Sequence, residues 1–385
     1  MIARLLALLL LLASPAVAQD VARVVYLGIE GDPYYEPQPL YTGLSLRDRR
    51  RPIEGVRLGY RDTRILGRAL GMTFELDEVL VPFDRLSDAL RDAQASQPLA
   101  ILLDLPPVGM SLALDAATPD DLFINIRDRS DHWRGASCAK SLLHTQPSHA
   151  MLSDALAQHL RSRGWTDILL LHGQTDGDTK QAEAARRSAA KFGLKIAGDK
   201  AFELTNDPRK RDLSNIALLT GGVRYDVVWL VDDEGDFGRY VPFATFSSRP
   251  VVGSEGLKAV AWHWTFERYG APQLNQRFRR RTDRDMSSAD WAGWAAVRVV
   301  MDALVQAGSV DRAAVHKALH SPELSVDLYK GVRGNFRDWN GQMRQPILLA
   351  THNAVISVAP VDGFEHQSDT LDTLGFDRAE SLCSQ

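Results

Sequence analysis

The sequence predicts an α/β fold of two lobes, each built on a parallel sheet. Three observations predict it. Apolar runs without polar alternation, at residues 99–105, 167–171 and 226–231, read as strands buried on both faces. Segments of helical periodicity separate them, so strands and helices alternate, as a parallel sheet covered by helices requires. The pattern restarts near residue 148, and a chain of 385 residues is too long for one compact core.

The N-terminal residues come first. Arg4 is the only charge before Asp20, residues 5–12 are all Leu except Ala7, and Ala16-Val17-Ala18 forms a small-x-small site. A basic start, an apolar run shorter than the roughly 20 residues a bilayer needs, and that site predict a signal peptide over 1–18. Cleavage is expected between Ala18 and Gln19, which places the mature chain in the periplasm. No later stretch is long and apolar enough to cross a membrane, so no insertion is expected after cleavage. A formal net charge of −4 argues against a nucleic-acid partner, and 45% hydrophobic residues suit a substantial core.

Along the chain, residues 23–29 read as the first strand, followed by the turn-rich stretch 31–37. A helix begins at Pro52 and runs to about residue 70, with Leu58, Ile65, Leu66 and Ala69 on one face. Strand 73–79, helix 83–95, strand 99–105 and strand 122–126 complete the first block. The second opens with helix 148–163, with Ser148 as N-cap and Gly164 as its stop. Strand 167–171, helix 179–192, strand 194–197, helix 213–219 and strand 226–231 follow. Residues 259–265 read as a strand with Trp262 and Trp264 on one face, ahead of the basic stretch 277–284. Helices 288–306 and 311–320 precede two closing strands, 347–351 and 354–359. The expected division is 19–146 with 255–325 for one lobe, and 147–254 with 326–385 for the other, which also carries the C-terminal tail.

Two cysteines, Cys138 and Cys383, in an exported chain predict one disulfide that pins the tail to mid-chain. The sequence lacks G-x-S-x-G, H-E-x-x-H, Walker A and G-x-G-x-x-G. It therefore reads as a binding protein and not an enzyme, with no cofactor. His316 and His320 stand four apart, but at a helix end, where histidine complements the dipole. The acidic group 232–236 follows a buried strand, where open α/β sheets place ligands. It reads either as a site acid or as a solvated turn, with a calcium or lanthanide site as a weaker third reading. Among the aromatics, Tyr34, Trp133 and Trp262 are the cleft candidates. Arg47, Arg49, Arg50 and Arg51 read as a solvated loop.

The order of elements resembles the type I periplasmic binding proteins of ABC transporters, in the leucine/isoleucine/valine-binding class. The likeness rests on Leu169-Leu170-Leu171-His172 before the helix at Thr179, on strand 226–232 leading to the acidic turn, and on Val332-Arg333-Gly334-Asn335-Phe336 with Asp338-Trp339-Asn340-Gly341-Gln342. A narrower likeness is to the subfamily associated with PQQ-dependent alcohol dehydrogenase systems. It lies in Pro147-Ser148-His149-Ala150-Met151, Ala261-Trp262-His263-Trp264, Asp290-Trp291-Ala292-Gly293-Trp294 and Leu371-Asp372-Thr373-Leu374-Gly375-Phe376.

The resemblance implies a type I periplasmic binding protein fold, with two Rossmann-like lobes joined by a three-segment hinge and crossings near 144–148, 252–257 and 322–332. It implies capture of a small organic solute, with an ABC permease and a quinoprotein dehydrogenase system as partners. The alternative is an accessory protein that binds a quinone cofactor, a metal or a dehydrogenase without feeding a permease. Loops after the strand ends bring together Tyr34, Asp104, Trp133, Gln174, Asp232 and Glu234 as the expected ligand-binding residues. One departure stands out. Where amino-acid-binding members hold the carboxylate on a Ser/Thr-rich loop, this chain has Asp104-Leu105-Pro106-Pro107. Asp104 is expected to repel a carboxylate, and leucine to bind weakly.

Overall fold

The computed structural model describes residues 21–69 and 71–383; the expected signal peptide lies outside them. Strands β1 (Val21–Ile29), β2 (Thr73–Val81), β3 (Ala100–Asp104), β4 (Phe123–Asn125) and β5 (Leu142–His144) form a sheet in the order β2-β1-β3-β4-β5. Every pairing in it is parallel. Its two faces explain the unbroken apolar runs. Val24, Tyr26, Leu102 and Ile124 pack under the helices Ile53–Ala69, Ala271–Thr282 and Ser288–Ala307. Val25, Leu27, Leu103 and Phe123 face the helices Leu86–Ala95 and Pro107–Asp115 on the other side. Successive strand residues point to opposite faces, so both faces must be apolar.

A second parallel sheet repeats the plan. Strands β6 (Asp167–His172), β7 (Lys195–Ala201), β8 (Val227–Val231) and β9 (Val251–Gly253) pair in the order β7-β6-β8-β9. Ile168, Leu170 and Trp229 meet Met151, Leu160 and Ala185 from the helices His149–Ser162 and Asp176–Lys191. Leu169, Leu171, Val228 and Leu230 meet Phe202, Leu219 and Phe237. Ser148 caps its helix by accepting from the Met151 amide, as expected. Thr175 and Asp178 form a reciprocal capping box that starts the next helix three residues before the sequence pattern does.

The helix Ser288–Ala307 returns to the first core. Its approach to Ile53–Ala69 is too close for side chains at the crossing: a Cβ on Gly55 would lie 1.8 Å from the Asp290 carbonyl oxygen. Glycine is required there by backbone proximity.

Strand β10 (Lys258–Val260) is short, and the expected strand over 259–265 ends with it. Trp262 and Trp264 therefore do not share a face. Trp262 is 2% exposed in the first core, while Trp264 is 43% exposed. After the hairpin of β11 (Val326–Asp327) and β12 (Arg333–Gly334), strands β13 (Ile347–Ala350) and β14 (Val355–Ala359) join β10 in an antiparallel sheet ordered β10-β13-β14. Leu348 packs in the first core, and its neighbours Ile347 and Leu349 pack in the second. Leu324, Val326, Phe336 and Met343 all belong to the first core, so the chain leaves it later than the sequence pattern implies.

Two crossing segments pair directly. His144 bridges Gln342 in parallel, the His144 amide donates to Gly341 at 2.8 Å, and the Met343 amide donates back to His144 at 2.9 Å. Gln345 Nε2 donates to the Thr145 carbonyl at 2.8 Å. The disulfide Cys138–Cys383 is formed across 245 residues, and the Leu382 amide beside it donates to Gly135 at 2.9 Å.

Candidate functional site

The C-terminal ends of β1, β3 and β4 face those of β6 and β8 across a cleft. At the first rim, Asp104 closes β3 and is fully buried. The Tyr26 hydroxyl donates to Asp104 Oδ2 at 2.5 Å, Tyr35 donates to Oδ1, and Arg51 Nη1 lies 3.3 Å from Oδ2. Burial pushes the Asp104 carboxyl upward, while Arg127, the two phenols and Arg51 oppose that shift. Arg127 also pairs with Asp32 at 2.5 Å, and its guanidinium lies 4.5 Å from the Tyr34 ring centre. Arg49 lies 4.9 Å from the same ring. Asp104 thus anchors the loop after β1 from behind. Its carboxylate faces Tyr26, Tyr35 and Arg51, and it lines neither cavity described below. The two prolines do not form a loop either: Pro106 caps, and Pro107 begins, the helix Pro107–Asp115, where missing amide donors cost nothing.

Arg50 is solvated as expected, but Arg47, Arg49 and Arg51 are not, and the loop crosses the cleft. Arg49 Nη2 pairs with Asp233 Oδ2 at 2.8 Å and with Glu234 at 3.5 Å. Arg47 donates to the carbonyls of Asp232 and Asp233 at 3.2 and 3.3 Å and reaches Glu255 at 3.4 Å. Thr42 donates from its amide and its hydroxyl to Asp236, at 3.0 and 2.8 Å, and the Tyr41 hydroxyl donates to Asn206 at 2.6 Å. The acidic turn is shaped to receive this strap. Asp232 Oδ1 accepts from the Gly235 amide at 2.7 Å and Oδ2 from the Gly238 amide at 2.6 Å. Gly235 has φ +81°, and a Cβ on it would lie 2.7 Å from the Arg47 guanidinium. Asp232 folds the turn from within, and burial raises its carboxyl despite the two amides.

Between the rims lies a cavity of about 310 Å³, within the range of small-molecule sites. Tyr34 and Arg129 reach it from the first sheet. His149, Leu152 and Leu156 reach it from the helix His149–Ser162, Trp229 and Asp232 from β8 and its turn, and Lys258 and Val260 from β10. A second cavity of about 290 Å³ lies under Leu40 and Tyr41 and is lined by Gln174, Asp232, Glu234, Phe202 and Phe237. Of the six expected residues, Tyr34 and Asp232 line the first cavity, and Gln174 and Glu234 join Asp232 at the second. Trp133 lines neither cavity: it is 6% exposed, packs in the outer core of the first sheet, and donates its indole N–H to Asp128 at 2.7 Å.

No protein-family model matches the sequence, and a search of curated proteins finds no match. Solved structures do match in shape. An ABC transporter substrate-binding protein from Sphaerobacter thermophilus superposes with a TM-score of 0.70 at 14% identity, over 93% of this chain and 100% of that one. The fold is that of the type I periplasmic binding proteins. A leucine-, isoleucine-, valine-, threonine- and alanine-binding protein from Brucella ovis, in a closed conformation, gives 0.67 at 12% identity, over 89% and 93% of the two chains. A periplasmic binding protein from Burkholderia mallei gives 0.65 at 13%, over 95% and 99%.

In this binding-protein fold the cleft is lined by residues the sequence reading passed over: Arg129, His149 and Lys258. Arg129 follows β4, a strand end like the others considered, so the strand pattern could have located it. Burial, with the cations Arg129, Arg134 and Lys180 around it, pushes the His149 imidazole down to about 3, although part of the residue still meets the cleft. Burial also lowers the Lys258 ammonium, which Glu255 opposes. Among the described residues no group of three or more His, Cys, Asp or Glu side chains is arranged to hold a metal ion. The carboxylates of the acidic turn are taken up by backbone amides, Arg49 and Thr42. Among the described residues no helix is long and apolar enough to cross a membrane.

Proposed function

We propose that this chain is an exported solute-binding protein of the periplasm that captures a small organic solute and delivers it to an ABC permease. The observation that carries the reading is the cavity of about 310 Å³ at the strand ends, walled by the loops after β1 and β4, the helix His149–Ser162, and the second and third sheets. Open parallel sheets bind ligands at such carboxyl ends. The two parallel sheets and their cores form two lobes. The segments near 144–148, 253–258 and 343–347 act as the hinge, and the lobes close about the solute. Similar solved structures are described as ABC transporter substrate-binding proteins from Sphaerobacter thermophilus and Desulfitobacterium hafniense, at 14% and 15% identity.

A role beside PQQ-dependent alcohol oxidation rests on the segments quoted for that subfamily, three of which lie at structural positions. Asp290 completes the capping box of Ser287 on the helix that crosses Gly55, Trp262 is core, and Asp372 pairs with buried Arg337 at 2.7 Å. Those positions support a shared fold more than a shared ligand. Native mass spectrometry of the chain purified from the periplasm of its own cells tests the reading. A retained small molecule, released on unfolding, is the expected result. A chain that carries none, and whose scattering radius is unchanged by periplasmic extract, would remove the capture role.

A further inference from the structure

We propose that the captured solute is a small organic carboxylate with an apolar body and no amino group, its head on Arg129 and its tail along Leu152 and Leu156. The proposal rests on the capture reading above and names the ligand class for that cavity.

The charges around the cavity carry it. Among the described residues the Arg129 side chain has no ion-pair or hydrogen-bond partner, although it lines the cavity. Arg47 and Lys258 share a single carboxylate, Glu255, each at 3.4 Å. The acids nearby are already engaged. Asp48 pairs with Arg50 at 2.6 Å, Asp232 accepts two backbone amides, and Asp233 accepts from Arg49 at 2.8 Å and Gln181 at 3.1 Å. A solute anion therefore finds an unpaired guanidinium, which binds carboxylates in a planar, bidentate way. A solute ammonium would have to compete with Arg50, Arg49, Gln181 and two backbone amides for the acids there.

The lining is also ordered along one helix. The His149 amide donates to the Arg129 carbonyl at 2.9 Å, so Arg129 stands at the start of the helix His149–Ser162. Leu152 and Leu156 follow His149 at three and seven residues, on the same face. Trp229 and Val260 close the apolar side. The lining thus joins an unpaired cation at the start of this helix to an apolar strip along it, the pairing of groups that a monocarboxylate with an apolar body requires. Asp104 does not disturb this, being buried behind Tyr35.

Titration calorimetry on the full mature chain, with three probes of one skeleton, tests the proposal: 4-methylpentanoate, leucine and 4-methylpentanol. The acid is expected to bind at least tenfold more tightly than either other probe. Arg129→Gln is expected to weaken the acid about tenfold to a hundredfold, the loss of one charged hydrogen-bonding partner, and Arg129→Lys to restore part of it. Because Arg129 holds no other side chain, circular dichroism of both variants should match the parent. Binding of leucine or the alcohol as tightly as the acid, or an acid affinity unchanged in Arg129→Gln, overturns the carboxylate assignment while leaving solute capture standing. Silence from all three probes also overturns it, and the retained molecule seen by mass spectrometry then decides capture separately.

Discussion

Arg49 reaches from the loop after β1 to Asp233 in the turn after β8, 184 residues away, with Nη2 2.8 Å from Oδ2. The same guanidinium lies over Tyr34. This pair and its neighbours tie the two rims of the cleft together before any solute is considered. The pair is partly exposed, so its own energy is small. Arg49→Ala is expected to lower global stability by less than about 1 kcal/mol. Amide hydrogen exchange in residues 38–50 should nevertheless quicken severalfold, because local opening costs far less than unfolding. Unchanged exchange there would mean that Arg47 and Thr42 hold the strap alone.

Asp104 is a different case. It is fully buried, and two phenols and two guanidinia converge on it. Removing its charge leaves Arg51 and Arg127 with less compensation in a buried setting. Asp104→Asn is expected to cost about 3 kcal/mol or more, read as a lower denaturant midpoint. A loss under about 1 kcal/mol would show that the cluster is solvated and open.

How much of this the sequence disclosed depends on the kind of signal. Runs such as Leu169-Leu170-Leu171 are legible because a strand covered on both faces must be apolar throughout. Ser148 is legible because a cap is a local device. The role of Asp104 is not, since it depends on Tyr35 and Arg51, which approach it only through the path of a long loop. The arginines 47 and 49 read as solvated for the same reason: their partners lie some two hundred residues away. Trp262 misled because a two-residue spacing implies a shared face only inside a strand, and β10 stops at Val260.

Cys138–Cys383 fastens the C-terminal tail beside the helical turn His132–Gly135. Cross-linking distant residues restricts the unfolded chain more than the folded one. Cys383→Ser is expected to lower stability by about 2–4 kcal/mol. Limited proteolysis should then clip the tail, which keeps only the Leu382 amide's bond to Gly135 and the part-exposed pairs of Arg378 and Glu380 among the described residues. A variant as stable as the parent, with an intact tail, would show that the buried Arg337–Asp372 pair suffices.

His144 makes the fold sensitive to acid. It is fully buried where two crossing segments pair; Nδ1 lies 2.9 Å from the Asn125 side-chain amide nitrogen, and Nε2 has no hydrogen-bond partner among the described residues. Accepting from Asn125 at Nδ1 places the ring proton on Nε2. Burial holds the imidazole well below its ordinary value, and the Arg134 cation adds to this. The unfolded chain takes up a proton near pH 6.5 that the folded chain refuses. The stability from this group is therefore complete above pH 6.5 and is lost as pH falls below it, at up to about 1.4 kcal/mol per pH unit. In His144→Gln, which cannot titrate, that loss is absent. Asp104 and Asp154, whose raised carboxyls act with the opposite sign, are common to both proteins and cancel in the difference. The variant should be the less stable at pH 7, because the packing of the ring is gone. Denaturant titrations should show the gap narrowing by about 2 kcal/mol between pH 7 and pH 5. Parallel stability profiles over that range would mean that His144 takes its proton without unfolding, through a water or a shift of Arg134.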